Sequence, residues 1–514
     1  MVETDVIIIG AGPTGLALAC QLIRYGVDFV IVDKNESTTP HSKAIGVQAR
    51  TLEIYDQIGL ADKLVENGTL AKAARMIVGG KIRGEIFFGE YGRGMSSYPY
   101  FLFIEQGIHE KFLYEFIRSH GKDVRWRTEV ESFRQDETGV TAEIKNSSGE
   151  TETLTAKYLV GCDGAKSLTR HSLGLEFSGG TFERLFYVAD VQIEWDFSHG
   201  AFYVCLAKTN VTAFFPMKGA DNTYRIVGTF PEGHNKDEGE ILYEEVERQI
   251  AVDTDLDLDI TKVNWFSVYK VHSRSVNRFS NGRCFLAGDS AHIHTPAGAQ
   301  GMNTGIQDGY NLAWKLAFAL TSKTPSKILD TYDEERLPNA ERLIRTTDRF
   351  FLLGASKNLF ASFVRTRIAP YIANYVVRLG FIRRRLFPLV SQIGINYCES
   401  SLSKTGGTFK VKAGERMPWF EIDGASVYAR LRQPFFHLVV FMDGKAEIPP
   451  LLDDLMVDWI GKIDSTVISL TPGISTIFGT DRAFFLVLRP DNYIGLISDQ
   501  FATAVVRDYL AKFA

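Results

Sequence analysis

An α/β fold, in which an antiparallel sheet is inserted into a mostly parallel one, is predicted by three features of the sequence. A glycine-rich turn joins an apolar run to a helical pattern within residues 6–23. Two further apolar runs, 158–160 and 284–287, each lead to an aspartate beside a glycine. Between them, short alternating runs are linked by Gly and Asn turns. Parallel strands covered on both faces read as continuous apolar runs, whereas half-solvated antiparallel strands alternate.

In DVIIIGAGPTGLALACQLIRYGVDFVIVDKN, residues 6–9 read as a buried strand, followed by Gly10, Gly12 and Gly15 in GxGxxG spacing with Pro13 and Thr14 inside it. Leu16, Leu18, Ala19, Leu22 and Ile23 give a helical apolar face, and residues 29–32 a second strand ending at Asp33 and Lys34. Each glycine has a physical task in such a βαβ unit. Gly10 turns tightly, Gly12 admits a pyrophosphate to backbone N–H groups, and Gly15 lets the helix pack closely, while the helix N-terminus favours phosphate. Asp33 stands where an acid accepts hydrogen bonds from a ribose. The unit alone leaves FAD and NAD open.

KYLVGCDGAKS and RCFLAGDSAH repeat the design downstream, placing Asp163 with Gly164, and Gly288 with Asp289, at carboxyl ends of strands, where open α/β sheets bind ligands. Asp289, Ser290 and His292 are too close in sequence for their order to imply a hydrolytic triad. His292 and His294 lack further ligands at metal spacing, so no metal is expected.

Composition bounds the remaining possibilities. With 514 residues, two or three domains are expected. Hydrophobic residues make up 45% and the 57 basic side chains nearly balance 62 acidic ones, as in soluble globular proteins. A formal charge of −5 without a long basic stripe argues against nucleic acid as a partner. The densest cluster, Arg383, Arg384 and Arg385, reads as a solvated helix face. No apolar run approaches the roughly 20 residues that span a bilayer, and the first strand begins near Asp5 without a leader, so a cytoplasmic location is expected. Cys20, Cys162, Cys205, Cys284 and Cys398 are scattered and read as buried hydrophobes. The 36 Phe and 20 Tyr suffice to line a roomy apolar pocket, although a Phe-rich core is the plainer reading of any one of them.

The three strand-end motifs in this order resemble the class A flavoprotein monooxygenases of the p-hydroxybenzoate hydroxylase fold. The likeness extends over essentially the whole chain and is most specific in HTPAGAQGMNTGIQDGYNLAWKLA. It is greatest to the larger members with a C-terminal thioredoxin-like domain: phenol hydroxylase, aromatic-polyketide hydroxylases and rifampicin monooxygenase. The resemblance implies FAD as cofactor. Gly10, Gly12, Pro13, Thr14, Gly15, Asp33 and Lys34 would hold its AMP half, and Lys43 and Arg50 would lie in the loop beside it. Gln106 would reach the ribityl chain and Val130 would flank adenine. Asp163, Gly288, Asp289 and Pro296 would border the ribityl and pyrophosphate region, and Gly301, Met302 and Asn303 would offer N–H groups to the flavin pyrimidine edge. Periodicity supports the last placement, because Ile306, Leu312, Ala313, Leu316, Ala317 and Leu320 define a helix beginning near Asn303. Lys43 and Lys166 stand where the family usually has arginine, and lysine lacks the bidentate fork.

The implied domain plan is FAD-binding at 1–75, 106–177 and 273–345, with substrate-domain segments at 76–105 and 178–272 forming an antiparallel sheet over the flavin. Phe214, Phe215 and Pro216 are candidates to border the substrate pocket, with sheet core as the competing reading. Residues 346–395 read as a helical connector packed between domains, ahead of a membrane-surface role. Residues 396–514 match a thioredoxin-like pattern, but no cysteine follows Cys398, so dithiol exchange is not expected of them.

The resemblance implies that NADH or NADPH reduces FAD and that O2 adds at flavin C4a, whose distal oxygen passes to a phenolic or polyketide-like ring. No protein nucleophile is obligatory, and no catalytic base is selected. The alternatives are a Baeyer–Villiger oxygenation on the same fold and an FAD-containing docking protein without turnover. A monomer or homodimer is expected.

Overall fold

The computed structural model describes residues 2–40, 44–88, 91–207, 210–219, 222–231, 237–296, 298–321, 325–355, 358–444 and 463–513. Lys43 lies outside them.

The three apolar runs of the sequence become adjacent parallel strands. Val2–Ile9 is central, with Phe29–Val32 on one side, Thr151–Gly161 on the other and Cys284–Leu286 beyond. Val6, Ile7 and Ile8 are wholly buried because helices or a hairpin cover both faces, which is why no alternation shows in the sequence. The hairpin Glu129–Gln135 and Val140–Lys145 continues from Thr151–Gly161, and Val130 belongs to the apolar core beneath it.

Two helices lie against each other beside this sheet, Pro13–Arg24 and Gly301–Thr321. Their approach depends on missing side chains: a Cβ on Gly305 would overlap the Thr14 hydroxyl, and one on Gly309 would come within 3.1 Å of the Leu18 side chain. The second helix starts at Gly301, two residues earlier than its periodicity indicates.

The inserted sheet has eight strands in the order His292–Ile293, Asp259–Val276, Phe177–Glu194, Thr223–Thr229, Val211–Pro216, Ala201–Leu206, Ala73–Val78 and Lys81–Phe87. Only the pairing of Ala201–Leu206 with Ala73–Val78 is parallel. One face packs toward the first sheet's core, and the other is covered by the helix Tyr243–Thr254 through Val246 and Ile250.

A third sheet, of five strands, runs Lys404–Gly406, Ile494–Ser498, Phe484–Leu488, Phe436–Met442 and Ile463–Ser469. Strand alternation divides it: Val439 and Phe441 face a separate core, while Leu438 and Val440 join the main one. Trp314 of the Gly301–Thr321 helix meets Phe436 and Phe513 there, at 6.1 and 6.2 Å between ring centroids. This docking makes the C-terminal unit part of the core beside the parallel sheet.

Two expectations are corrected. Cys398 is exposed, unlike the buried Cys20, Cys205 and Cys284, because it sits on the surface turn entering the C-terminal unit. The connector is helical, with Leu359–Phe363, Ala369–Arg378 and Gly380–Val390 around a π-helical turn at Val364–Ile368, but it is only half packed. Phe387 is buried, whereas Tyr375 and Phe381 are largely in solvent, since only one side of the helices rests on the inserted sheet. Among the described residues no helix is long and apolar enough to cross a membrane.

Candidate cofactor and substrate site

The carboxyl ends of the parallel strands converge on one cradle. Gly10 adopts φ +102°, a conformation disfavoured for any residue with a Cβ, and such an atom would also overlap the Cys162 carbonyl. A Cβ on Gly15 would overlap the Gly10 carbonyl oxygen, so the helix reaches the turn only because its third residue is glycine. Above Gly12 there is open space, and no side chain caps the N-terminus of the Pro13–Arg24 helix. Its first N–H groups therefore face an open, electropositive hollow suited to a pyrophosphate. Asp33 borders it, accepting from the N–H of Ala11 at 2.6 Å and of Asn35 at 2.8 Å.

The third strand end supplies a second loop. Gly288 turns with φ +66°, its N–H donating to Asp308 at 3.0 Å, and Asp289 projects to the exposed side. Asp308 is the hub beneath this loop. It also bonds His292 Nε2 at 2.7 Å and Arg336 Nε at 2.7 Å. Burial alone would raise its pKa, but Arg336 and His292 overcome that and hold it below the usual carboxylate value. His294 donates from Nδ1 to the Thr295 carbonyl at 2.7 Å, and burial pushes it down to about 4, so its ring is neutral near pH 7. Asn303 uses its side chain as a clamp, accepting from Gln48 N–H and Thr51 Oγ1 and donating to the Gly46 carbonyl. It thereby ties the start of the Gly301–Thr321 helix, whose first turn holds no acidic residue, to the Gly46–Val47 strand.

Joined to this region where Phe103 pairs with Gly46 is a row of side chains set by strand register. Phe215 pairs with Arg225, and Arg225 with Asp190, on consecutive strands, so their side chains share one face. Phe202 joins the row, stacked on Phe215 at 5.6 Å, and Phe103 stands edge-on to both, at 5.6 Å to Phe202 and 5.3 Å to Phe215. Phe88 stacks on Phe202 at 5.8 Å and meets Phe101 at 4.8 Å. At the polar end, Arg225 grips Asp190 through two bonds of 2.7 Å and donates to the Ala44 carbonyl at 3.0 Å, joining the inserted sheet to the loop beside the cradle. Glu105 lies near this pair, and burial raises its pKa.

Comparison with known proteins agrees with this arrangement. A family model described as FAD binding domain matches residues 3–347. The chain is 31% identical over 522 residues to a flavin-dependent monooxygenase of Mycobacteroides abscessus, covering 99% of each. It belongs to the flavin-dependent monooxygenases. It is also 32% identical over 462 residues to the 6-methylpretetramide 4-monooxygenase of Streptomyces rimosus, covering 86% of this chain and 81% of the relative. The solved structure of OxyS anhydrotetracycline hydroxylase from Streptomyces rimosus superimposes with a TM-score of 0.77 at 27% identity, covering 99% of each chain.

The monooxygenase's cradle fits FAD on its own geometry. The hollow over Gly12, the acid at Asp33 and two helix N-termini with no acidic residue in their first turns match a pyrophosphate, a ribose and the electron-rich edge of a reduced flavin. Other residues expected at the cofactor are distributed differently. Lys34 and Pro296 are exposed at the rim, and Met302 is half-buried beside Gly301. Gln106 begins the helix Gln106–Ser119 and donates to Glu110 at 2.8 Å. Val130 contributes its side chain to core packing. Asp163 caps the short helix Leu168–Ser172, accepting from Ser167 Oγ at 2.5 Å and from Thr169 N–H at 2.9 Å.

Two further candidates, Arg50 and Phe214, have their partners elsewhere in the monooxygenase. Arg50 is turned away from the cradle: its guanidinium pairs with Glu53 at 3.2 Å, donates to the Asp491 carbonyl at 2.9 Å and lies over Tyr493, so it serves the C-terminal interface. Phe214 faces the opposite side of its sheet, packed on Trp195 at 5.0 Å, because successive strand residues alternate. Sequence reasoning missed Asp308, Arg225, Asp190, Phe202 and Phe103. Alternation within residues 201–206 and 211–216 was the available signal for Phe202, once the hairpin pairing was known.

Proposed function

We propose that this protein uses NADH or NADPH and O2 to place one oxygen atom on an aromatic ring of phenolic or polyketide-like type. The observation that carries the reading is the row of Phe202, Phe215 and Phe103, joined to the cradle because Phe103 pairs with Gly46, whose carbonyl accepts from Asn303. When bound, FAD supplies the redox and oxygen-activating chemistry. The protein's own share is positioning and exclusion of water. Ring edges and faces hold a planar aromatic molecule, and their apolar surface keeps water from the reacting region. Backbone N–H groups of Gly301, Met302 and Asn303, at a helix N-terminus, favour negative charge opposite them. The Arg225–Asp190 pair fixes the distance between sheet and cradle through Ala44. The relatives named for tetracycline-type polyketides support a fused-ring substrate class.

The test is a screen of phenols and fused-ring polyketides with the purified full chain. The expected result is a yellow protein whose NAD(P)H oxidation rises with a substrate that gains one oxygen. Colourless protein that cannot be reconstituted with FAD, or NAD(P)H oxidation that no aromatic compound stimulates, removes the reading. Oxygen inserted into a carbon–carbon bond beside a ketone assigns the Baeyer–Villiger reaction instead.

A further inference from the structure

The helices following Pro325–Ala355 present an apolar face to solvent. Phe360, Tyr371, Ile372, Tyr375, Leu379 and Phe381 are 45–82% exposed. Tyr371, Tyr375 and Leu379 recur every fourth residue, with Ile372 alongside, so they form one stripe down Ala369–Arg378 and its end. Monomeric proteins seldom expose a contiguous apolar surface of this kind unless something binds there.

Charge distinguishes the occupant. Residues 349–398 hold eight of the chain's 57 Lys and Arg and none of its 62 Asp and Glu, although the whole chain is acidic. Arg367, Arg384 and Arg385 are exposed on the same helices as the aromatic side chains. We infer that this face docks the protein on an anionic lipid surface. Its aromatic residues enter the boundary between headgroups and acyl chains, and its arginines pair with lipid phosphate. A second copy of the chain fits less well, because a two-fold contact would set these arginines against their own counterparts with no carboxylate among residues 349–398 to pair them. The docking is peripheral, since no described helix is long and apolar enough to cross a bilayer.

The position matters for chemistry as well. Phe387, from the last of these helices, packs against Tyr91 at 6.3 Å, and Tyr91 meets Phe88 of the aromatic cluster at 6.0 Å. The docked face thus lies next to the substrate row, where a lipophilic aromatic molecule dissolved in the membrane would enter.

Co-sedimentation of the full chain with vesicles tests the inference independently of turnover. Vesicles of phosphatidylcholine with phosphatidylglycerol should bind at least about tenfold more strongly than phosphatidylcholine alone, with the difference shrinking as salt is raised. Arg384→Gln with Arg385→Gln should weaken binding about 25-fold, roughly fivefold for each arginine near the surface. Tyr375→Ser with Phe381→Ser should also weaken it, and both variants should keep the parent melting temperature because these side chains are exposed. Equal binding to the two vesicle types, or none, overturns the inference. So does a concentration-dependent dimer, seen by sedimentation equilibrium, that Tyr375→Ser dissolves.

Discussion

Arg489 and Glu335 form a two-pronged ion pair, 2.6 Å from Nη1 to Oε1 and 3.0 Å from Nη2 to Oε2, wholly buried where the C-terminal unit meets the helix Pro325–Ala355. Glu335 also accepts from Lys315, Asn311 and Ser400. Burial would raise its pKa, but the charges of Arg489 and Lys315 overcome that and hold it well below the ordinary value. Arg489 is engaged in turn by Asp491. Removing one partner leaves buried charge uncompensated, which costs about 3–5 kcal/mol. Arg489→Met should therefore lower unfolding free energy by about that amount in urea titration. A loss below about 1 kcal/mol would mean that the network contributes little to the interface.

The glycines of the first turn separate folding from cofactor binding. Gly15→Ala places a methyl group on the Gly10 carbonyl and should abolish soluble expression. Gly12→Ala has room in the apoprotein, so it should fold but lose flavin. Asp289→Ala should likewise fold and bind FAD about 10- to 100-fold more weakly, by the loss of a charged hydrogen bond. Flavin-to-protein absorbance ratios and FAD titration report both variants, and full flavin content in either one would show that the cradle lies elsewhere.

Phe214 and Phe215 are neighbours on opposite faces of one strand. Phe214→Ala empties a packed core and should destabilise the fold by about 3–5 kcal/mol, with little change in KM for substrate among molecules that remain folded. Phe215→Ala should spare stability more and instead raise KM and uncouple NAD(P)H oxidation from oxygenation. The prediction fails if the two variants show the same split between melting temperature and kinetics.

His109 makes stability depend on acid. Burial pushes it from 6.5 down to about 3, with Tyr55 Oη 2.6 Å from its Nε2. The unfolded chain takes up this proton first as pH falls, so stability is full above the unfolded value and declines below it by about 1.4 kcal/mol per pH unit. His109→Gln should flatten the dependence of unfolding free energy on pH by about that slope between roughly pH 6 and 4. An unchanged slope would locate the acid sensitivity in other groups.

How much of this was legible follows from where each signal lies. The GxGxxG unit is local: strand, turn and helix are contiguous, and the steric need for glycine at positions 10 and 15 appears in the sequence as glycine. Asp289 and the helix from Gly301 could be placed for the same reason. Asp308 reads only as one more polar residue on a helix, since its partners Gly288, His292 and Arg336 reach it through chain reversals that no short window contains. Arg50 was misplaced because its partner Asp491 stands 441 residues away.

The sequence by itself determined the α/β class, the steric form of the glycine-rich turn and the absence of a cysteine pair after Cys398, because these depend on local backbone sterics and composition, whereas FAD rather than NAD followed from the family likeness. Only the tertiary structure decided which phenylalanines share a face with Arg225, since the face that a strand residue occupies is set by pairing and register with strands distant in sequence. It also decided that the C-terminal unit shares a core with the FAD domain and that the Arg-rich helices leave their aromatic stripe in solvent. Both are outcomes of packing, in which a surface is buried or left bare according to what the rest of the chain brings against it.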